Sequence, residues 1–368
     1  MIRYLLVVAV ALLIAPLRAA QDETADEEYT RRFQEGIEDL TAGRHDEGIA
    51  AFKRCLELRP EDATSAYNVA CGHALKKELD PAFEWLAKSA ELGFGNEPDN
   101  IVHAETRDPD LASLRGDPRF PPIIERMREL LAAVEKYAAE PAVYVPEALA
   151  EAEEVPLLVV LHDQGSSKDA VVSSPWKDVA DELGLALIAP SGSVATGAGS
   201  EAGMAWFRSL QAYTDRYWTY EKSIQSAIDG FKKERKVDRK HIYIAGEGQG
   251  AMVAFNQAVR APGQYKGVLI VNGPLHMQLA QSRIANAVKM GLRLRLLAST
   301  ESMWGLGPGD LEAFLDGTDR TLKQVGFEAQ YQMYAPDPAR PEALYELVVE
   351  QLASLRRDEA AAKESETD

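Results

Sequence analysis

The chain has 368 residues, 58 acidic against 40 basic side chains, a formal net charge of −18 and 46% hydrophobic residues. That length and apolar content leave room for two domains with sizeable cores. The acidic balance excludes nucleic acid and anionic membrane surfaces as natural partners, because both require clustered Lys and Arg.

Residues 1–20 set a basic start, Arg3, before an apolar run over 4–15 and a stretch of small residues ending at Ala19-Ala20. This predicts a secretory signal peptide, too short to span a bilayer comfortably; an uncleaved anchor is the alternative. The expected location is therefore exported, periplasmic or extracellular, with no stable membrane insertion after cleavage. Loss of Arg3 and Arg18 would leave the remainder two charges more acidic. Cys55 and Cys71 are the two cysteines, both at apolar helical positions. An exported protein can oxidise such a pair, and two buried core thiols are the alternative. No Cys/His group has structural-zinc spacing, so no metal and no cofactor are expected.

Residues 29–96 carry two copies of a 34-residue pattern. Gly36, Gly48 and Phe52 in the first copy correspond to Ala70, Ala82 and Leu86 in the second, and Cys55 and Pro60 fall within one position of the register of Ala90 and Gly95. Small residues at these offsets let two antiparallel helices pack closely, and the pattern resembles the tetratricopeptide repeat. Arg32 and Asp39 stand where that family has its aromatic residues. A closing segment over 108–120 and a helix over about 122–137 complete a helical module spanning 21–138. Two repeats bury little surface alone, so the module is expected to pack on the rest of the chain or to hold a protein or peptide partner in its groove.

The second domain is predicted over 139–356. An edge strand over 142–146 precedes a continuous apolar run at 155–161, as in a strand buried on both faces. A helix at 176–183, a strand at 185–189, a loop at 191–203 and an amphipathic helix at 217–236 follow. Further strands at 268–271, 292–298 and 328–334 alternate with helices at 310–325 and 341–355. Alternation of this kind implies an α/β fold with a mostly parallel sheet covered on both faces. Residues 357–368 are polar and are expected to be a disordered tail.

Residues 241–251 read His-Ile-Tyr-Ile-Ala-Gly-Glu-Gly-Gln-Gly-Ala: a buried strand, a tight turn and a helix start. The frame is that of G-x-S-x-G, the turn that presents a nucleophilic serine at the top of a sheet. Both flanking glycines, Gly246 and Gly250, are present, but Gly248 stands at the serine position. With 156–162, Ala205-Trp206-Phe207 and 265–273 in the same order, the domain resembles the phospholipase/carboxylesterase group of α/β hydrolases, the acyl-protein thioesterases among them. The resemblance implies an α/β-hydrolase fold, a Ser–acid–His triad and a backbone oxyanion hole. In that group a glycine follows the strand-ending histidine; here Asp163 follows His162, and a carboxylate pointing inward would oppose an oxyanion. His162, Asp163, Gln164 and Gln249 are the expected remnant of the hole, with half of it surviving. The histidine loop, 334–341, holds no histidine, and Glu301 and Asp310 are the acids near the third triad position.

Weak substitutes are Glu247 as a general base on water, Ser166 as a nucleophile without a base, and His276. His162 is expected to tie the oxyanion loop by a hydrogen bond. Trp206, Phe207, Met303 and Trp304 are candidates for a ligand cleft, with core packing the alternative for the aromatic stretch over 206–220. The expected function is an exported pseudohydrolase: a ligand- or partner-binding module joined to a helical repeat adaptor, with a small apolar or acyl ligand in the cleft. The alternative is an active carboxylesterase or thioesterase using an unorthodox site.

Overall fold

The structure, a computed structural model, describes residues 24–197, 199–275, 277–301, 308–327, 329–340 and 342–365. The predicted leader, His276, Met303 and Trp304 lie outside them. The chain divides into two compact units: one runs up to Leu92 and includes Ala104–Ile123, the other comprises Gly93–His103 and the chain from Ile124 on. Among the described residues no helix is long and apolar enough to cross a membrane.

The first unit is all-helical. α1 (Ala25–Thr41) packs on α2 (His45–Leu58), and α3 (Ala63–Leu75) on α4 (Leu79–Glu91). Thr24 caps α1 by accepting from the Glu27 N–H while the Glu27 carboxylate accepts from the Thr24 N–H, so two of the helix's unpaired amides are satisfied reciprocally. The small residues of the repeated pattern sit at the helix contacts. A Cβ on Gly36 would meet the Phe52 ring at 2.8 Å, and one on Gly48 would meet Leu40 at 2.7 Å. Cys55 and Cys71 are both free and buried.

The second unit begins earlier than composition suggests. It takes in α5 (Pro98–Val102) and most of α6 (Phe120–Ala139). The ties are specific. Asn96 Nδ2 donates to the carbonyls of Ala195 and Gly197 at 3.1 and 3.0 Å, Glu97 pairs with Arg208 at 2.9 Å, and Val134 packs with Ala195 and Met204. None of these partners is near in sequence, which is why the boundary predicted at 138 is displaced.

The sheet of this unit has seven strands: β1 (Ala142–Tyr144), β2 (Val155–Leu161), β3 (Ala186–Ala189), β6 (Val237–Glu247), β7 (Gly267–Val271), β8 (Arg293–Ser299) and β9 (Ala329–Tyr334), in the order β1-β3-β2-β6-β7-β8-β9. Only β1 runs antiparallel, at the edge. Between β3 and β6, residues expected to be loop form a two-stranded antiparallel hairpin, β4 (Val194–Gly197) with β5 (Gly199–Ala205). Helices α7 (Lys168–Ser173), α8 (Pro175–Leu183) and α13 (Ala343–Ser365) belong to one face, and α9 (Leu210–Glu234), α10 (Gly248–Arg260), α11 (Met277–Lys289) and α12 (Pro308–Gln324) complete the unit. Along β2, Val155, Leu157, Val159 and Leu161 enter the core that holds α9 and α10, while Leu158 and Val160 enter the core under α8 and α13. Burial on both faces is what makes this strand a continuous apolar run. α13 continues to Ser365, through most of the segment read as a disordered tail; Ala360-Ala361-Ala362 and the Lys and Glu that follow are strong helix formers.

Register places the site. Leu161 pairs with Gly246, so the residues leaving β2, His162 and Asp163, lie beside those leaving β6, Glu247 and Gly248. This is the carboxyl end of a parallel sheet, where such folds bind ligands.

Candidate active site

The turn from β6 to α10 keeps the geometry of the elbow. Glu247 is extended, Gly248 is left-handed at φ +50°, and the helix begins at once. The two flanking glycines have no room for a side chain: a Cβ on Gly246 would run into the Gly250 carbonyl, and one on Gly250 into the Leu161 and His162 carbonyls. At Gly248 the obstacle differs. A Cβ there would collide with the Asp163 carboxylate. The aspartate fills the volume in which a nucleophile would begin.

The same carboxylate takes the hole's donors. Asp163 Oδ1 accepts from the Gln164 N–H at 2.6 Å and from the Gln249 N–H at 2.8 Å. Two amides converging on one oxygen at such distances, one of them at a helix N-terminus, form the arrangement that stabilises an oxyanion. Both of these amides are therefore engaged internally by the Asp163 carboxylate. The surroundings hold them in place. His162 is buried; its Nε2 accepts from the Gly192 N–H at 2.9 Å, which puts the proton on Nδ1 for the Asp163 carbonyl at 2.7 Å. Burial lowers the pKa of this ring, in keeping with its neutral form. Trp206 stacks on it and donates Nε1–H to the His162 carbonyl at 2.9 Å. The Gln249 side chain accepts from the Trp206 N–H at 3.1 Å and donates to Gln164 Oε1 at 2.8 Å and to the Phe207 carbonyl at 3.0 Å.

Among the described residues the substitutes for the triad are not assembled. Glu247 is directed between α8 and α13, where one oxygen accepts from Trp176 Nε1 at 2.9 Å and from the Tyr345 hydroxyl at 3.2 Å. Burial raises its pKa. It is a fastening of the elbow to that helical layer and is not among the residues lining the cleft. Ser166 does line the cleft, and its backbone bridges to Met204. His162, four residues away, has both ring nitrogens engaged. Glu301 is exposed beyond β8, and the segment after β9 from Ala335 to Arg340 contains no histidine.

A cleft of about 600 Å3 opens beside Asp163, lined by Tyr137, Gln164, Ser166, Ser167, Asp169 and Glu201 among others. It is polar. Trp206 is fully buried and Phe207 nearly so; they pack in the sheet core with Tyr213 and Tyr220 and do not form an apolar wall. Sequence reasoning missed Tyr137 and Asp169, whose hydroxyl and carboxylate join at 2.7 Å, because α6 was assigned to the helical module. It also missed the one group of three potential metal ligands brought together among the described residues, Cys71, Asp108 and Asp110 in the helical unit. There Asp108 Oδ2 accepts from the Tyr67 hydroxyl at 2.6 Å and the Cys71 thiol at 3.6 Å, and burial keeps that thiol well above its ordinary pKa. Two protons, from Tyr67 and Cys71, already converge on that Asp108 oxygen.

Residues 147–294 match the phospholipase/carboxylesterase family model. No curated protein matches the chain. Solved structures similar to it include a ferulic acid esterase, at 17% identity over 59% of this chain and 91% of that one with a TM-score of 0.41. Others are a Bacillus cereus carboxylesterase, at 15% identity over 58% and 93% with a TM-score of 0.41, and an uncharacterized Bacillus cereus protein, at 13% identity over 87% and 97% with a TM-score of 0.41.

Proposed function

The second unit belongs to the α/β-hydrolase group, and on that premise we propose that it is a pseudohydrolase, a hydrolase fold that binds a ligand or partner and does not transfer acyl groups. One observation carries the reading: the Asp163 carboxylate stands where both the nucleophile and the substrate oxyanion would be, held by the Gln164 and Gln249 amides. An ester carbonyl entering the cleft would meet a fixed negative charge in place of two donors, which reverses the electrostatic contribution that acyl-transfer enzymes depend on. The loss of the serine at 248 and of a histidine after β9 supports the same reading independently. The ligand expected from the cleft lining is polar, not the apolar or acyl group expected from the sequence. The helical unit serves in this proposal as an adaptor for a protein or peptide partner, and residues 1–20 as an export signal.

The test is turnover of short- and long-acyl esters and thioesters by the purified protein, with labelling by a fluorophosphonate in parallel. We expect neither. Turnover that follows the protein through repurification and disappears in Ser166→Ala or Glu247→Gln would overturn the proposal and restore the esterase alternative. Gly248→Ser alone is expected to stay inactive, since the general base is missing and Asp163 occupies the space.

A further inference from the structure

We propose that Asp163 is an autoinhibitory internal ligand: it occupies a carboxylate-binding pocket that is otherwise complete, and it can enter only because residue 248 has no side chain. The inference starts from the proposed loss of catalysis but concerns the pocket itself. Three features support it. The Gln164 and Gln249 amides converge on a single Asp163 oxygen at 2.6 and 2.8 Å, as they would on a free carboxylate. The elements that aim those amides do not depend on the Asp163 side chain. His162 is fixed by Gly192 and Trp206, Gln249 by the Trp206 and Phe207 backbone, and Gly165 by the Met204 carbonyl at 3.0 Å. Finally, a Cβ at 248 and the Asp163 carboxylate claim the same volume, so either excludes the other.

Removing the side chain in Asp163→Gly should therefore leave a vacancy the size of formate or acetate, with both donors aimed into it. The vacancy is of a kind that a ligand in solution fills by mass action, stabilising the folded state according to its concentration relative to Kd. Residue 248 should also be coupled to residue 163. Gly248→Ala places an alanine at φ +50°, and that left-handed penalty is the same whether or not Asp163 is present. The collision with the carboxylate is removed only when Asp163 is absent, so the difference between the two backgrounds isolates the exclusion.

The experiment measures Tm of the full chain for the wild type, Asp163→Gly, Asp163→Asn, Gly248→Ala and the Gly248→Ala/Asp163→Gly pair, in formate, acetate and chloride at equal ionic strength. We expect formate and acetate to raise the Tm of Asp163→Gly saturably, by about 2–4 °C over chloride. The wild type and Asp163→Asn, whose pocket stays filled, should not respond. Gly248→Ala should lower Tm clearly in the wild-type background and much less beside Asp163→Gly. If Asp163→Gly folds only when formate or acetate is present, that is the same rescue in a stronger form. A carboxylate effect equal in the wild type and Asp163→Gly would mark a general salt effect and overturn the proposal. So would an equal cost of Gly248→Ala in both backgrounds, or an Asp163→Gly protein unfolded in every salt together with an Asp163→Ala protein that folds and does not respond. Ester turnover by the wild type would defeat the proposed function while leaving this coupling measurable; absence of the coupling in an inactive protein would defeat this inference alone.

Discussion

The glycines of the helical unit and those around the elbow meet different kinds of neighbour. In the helical unit a Cβ on Gly72 would press on Ile49 Cγ1 at 2.5 Å, and one on Gly36 on the Phe52 ring at 2.8 Å. These are side-chain atoms, which can give way more readily than backbone. At the elbow, Gly246 and Gly250 abut carbonyls of β2 and α10, backbone already committed to the sheet and helix. The helical unit uses glycine for close packing, whereas the elbow uses it to let two backbones meet. Only Gly248 breaks the elbow's pattern by facing a side chain, Asp163. The turn is thus held by backbone contacts of Gly246 and Gly250 that do not depend on the residue between them, which on the proposed reading explains an elbow with glycine at 248.

The largest effect that this contrast predicts is at Gly250. Gly250→Ala should cost about 3 kcal/mol or more, because no rotamer relieves a collision with two carbonyls. Urea unfolding would read it as a drop in midpoint or as failure to fold. Gly72→Ala should cost less, about 1–2 kcal/mol: Ile49 Cγ1 has to move by about an ångström, and alanine in the interior of α3 offsets about 0.5–1 kcal/mol of that strain. Equal costs at the two positions would break the distinction between packing glycines and backbone glycines.

Legibility in the sequence followed the same division. The strand at β2, the elbow frame and the order of the sheet's helices and strands were readable because each is a local period or a run of apolar residues. Gly248 and the missing histidine were readable as absences. The inward turn of Asp163 was not: it depends on the pairing of Leu161 with Gly246 and on the free volume at 248, both long-range. The β4–β5 hairpin was read as a loop because its strands, Val194–Gly197 and Gly199–Ala205, carry three Gly and few β-branched residues. Its place is set by Asn96 and by the Ser166–Met204 bridge, contacts that no local pattern encodes.

A smaller effect is expected from pH at His162. Its buried ring is neutral in the folded chain and its pKa lies below the ordinary 6.5. The unfolded chain therefore binds this proton more readily. The ring's contribution to stability is complete above about pH 6.5 and declines as pH falls through the folded pKa. Unfolding free energies taken between about pH 7.5 and pH 5.5 should fall more steeply for the wild type than for His162→Gln, whose amide can accept at one end and donate at the other. Parallel slopes would mean that His162 does not fix the elbow loop as a neutral ring.

Glu247 should respond in the opposite sense, and least. Burial between α8 and α13 raises its pKa above the ordinary 4.5, so the folded chain favours the protonated acid. A group shifted this way stabilises the fold below its unfolded pKa, and that stabilisation is lost as pH rises through the folded value. At neutral pH the wild type holds a partly desolvated carboxylate whose two donors, Trp176 and Tyr345, an amide oxygen could accept from equally well. Glu247→Gln should therefore be at least as stable as the wild type near pH 7, by a margin smaller than the cost of either glycine substitution, with the gap closing toward pH 4. A uniform destabilisation at every pH would mean that the charge itself is used at the elbow. It would separate Glu247 from the structural role of its neighbours Gly246 and Gly250 and return it to the list of candidate bases for the cleft.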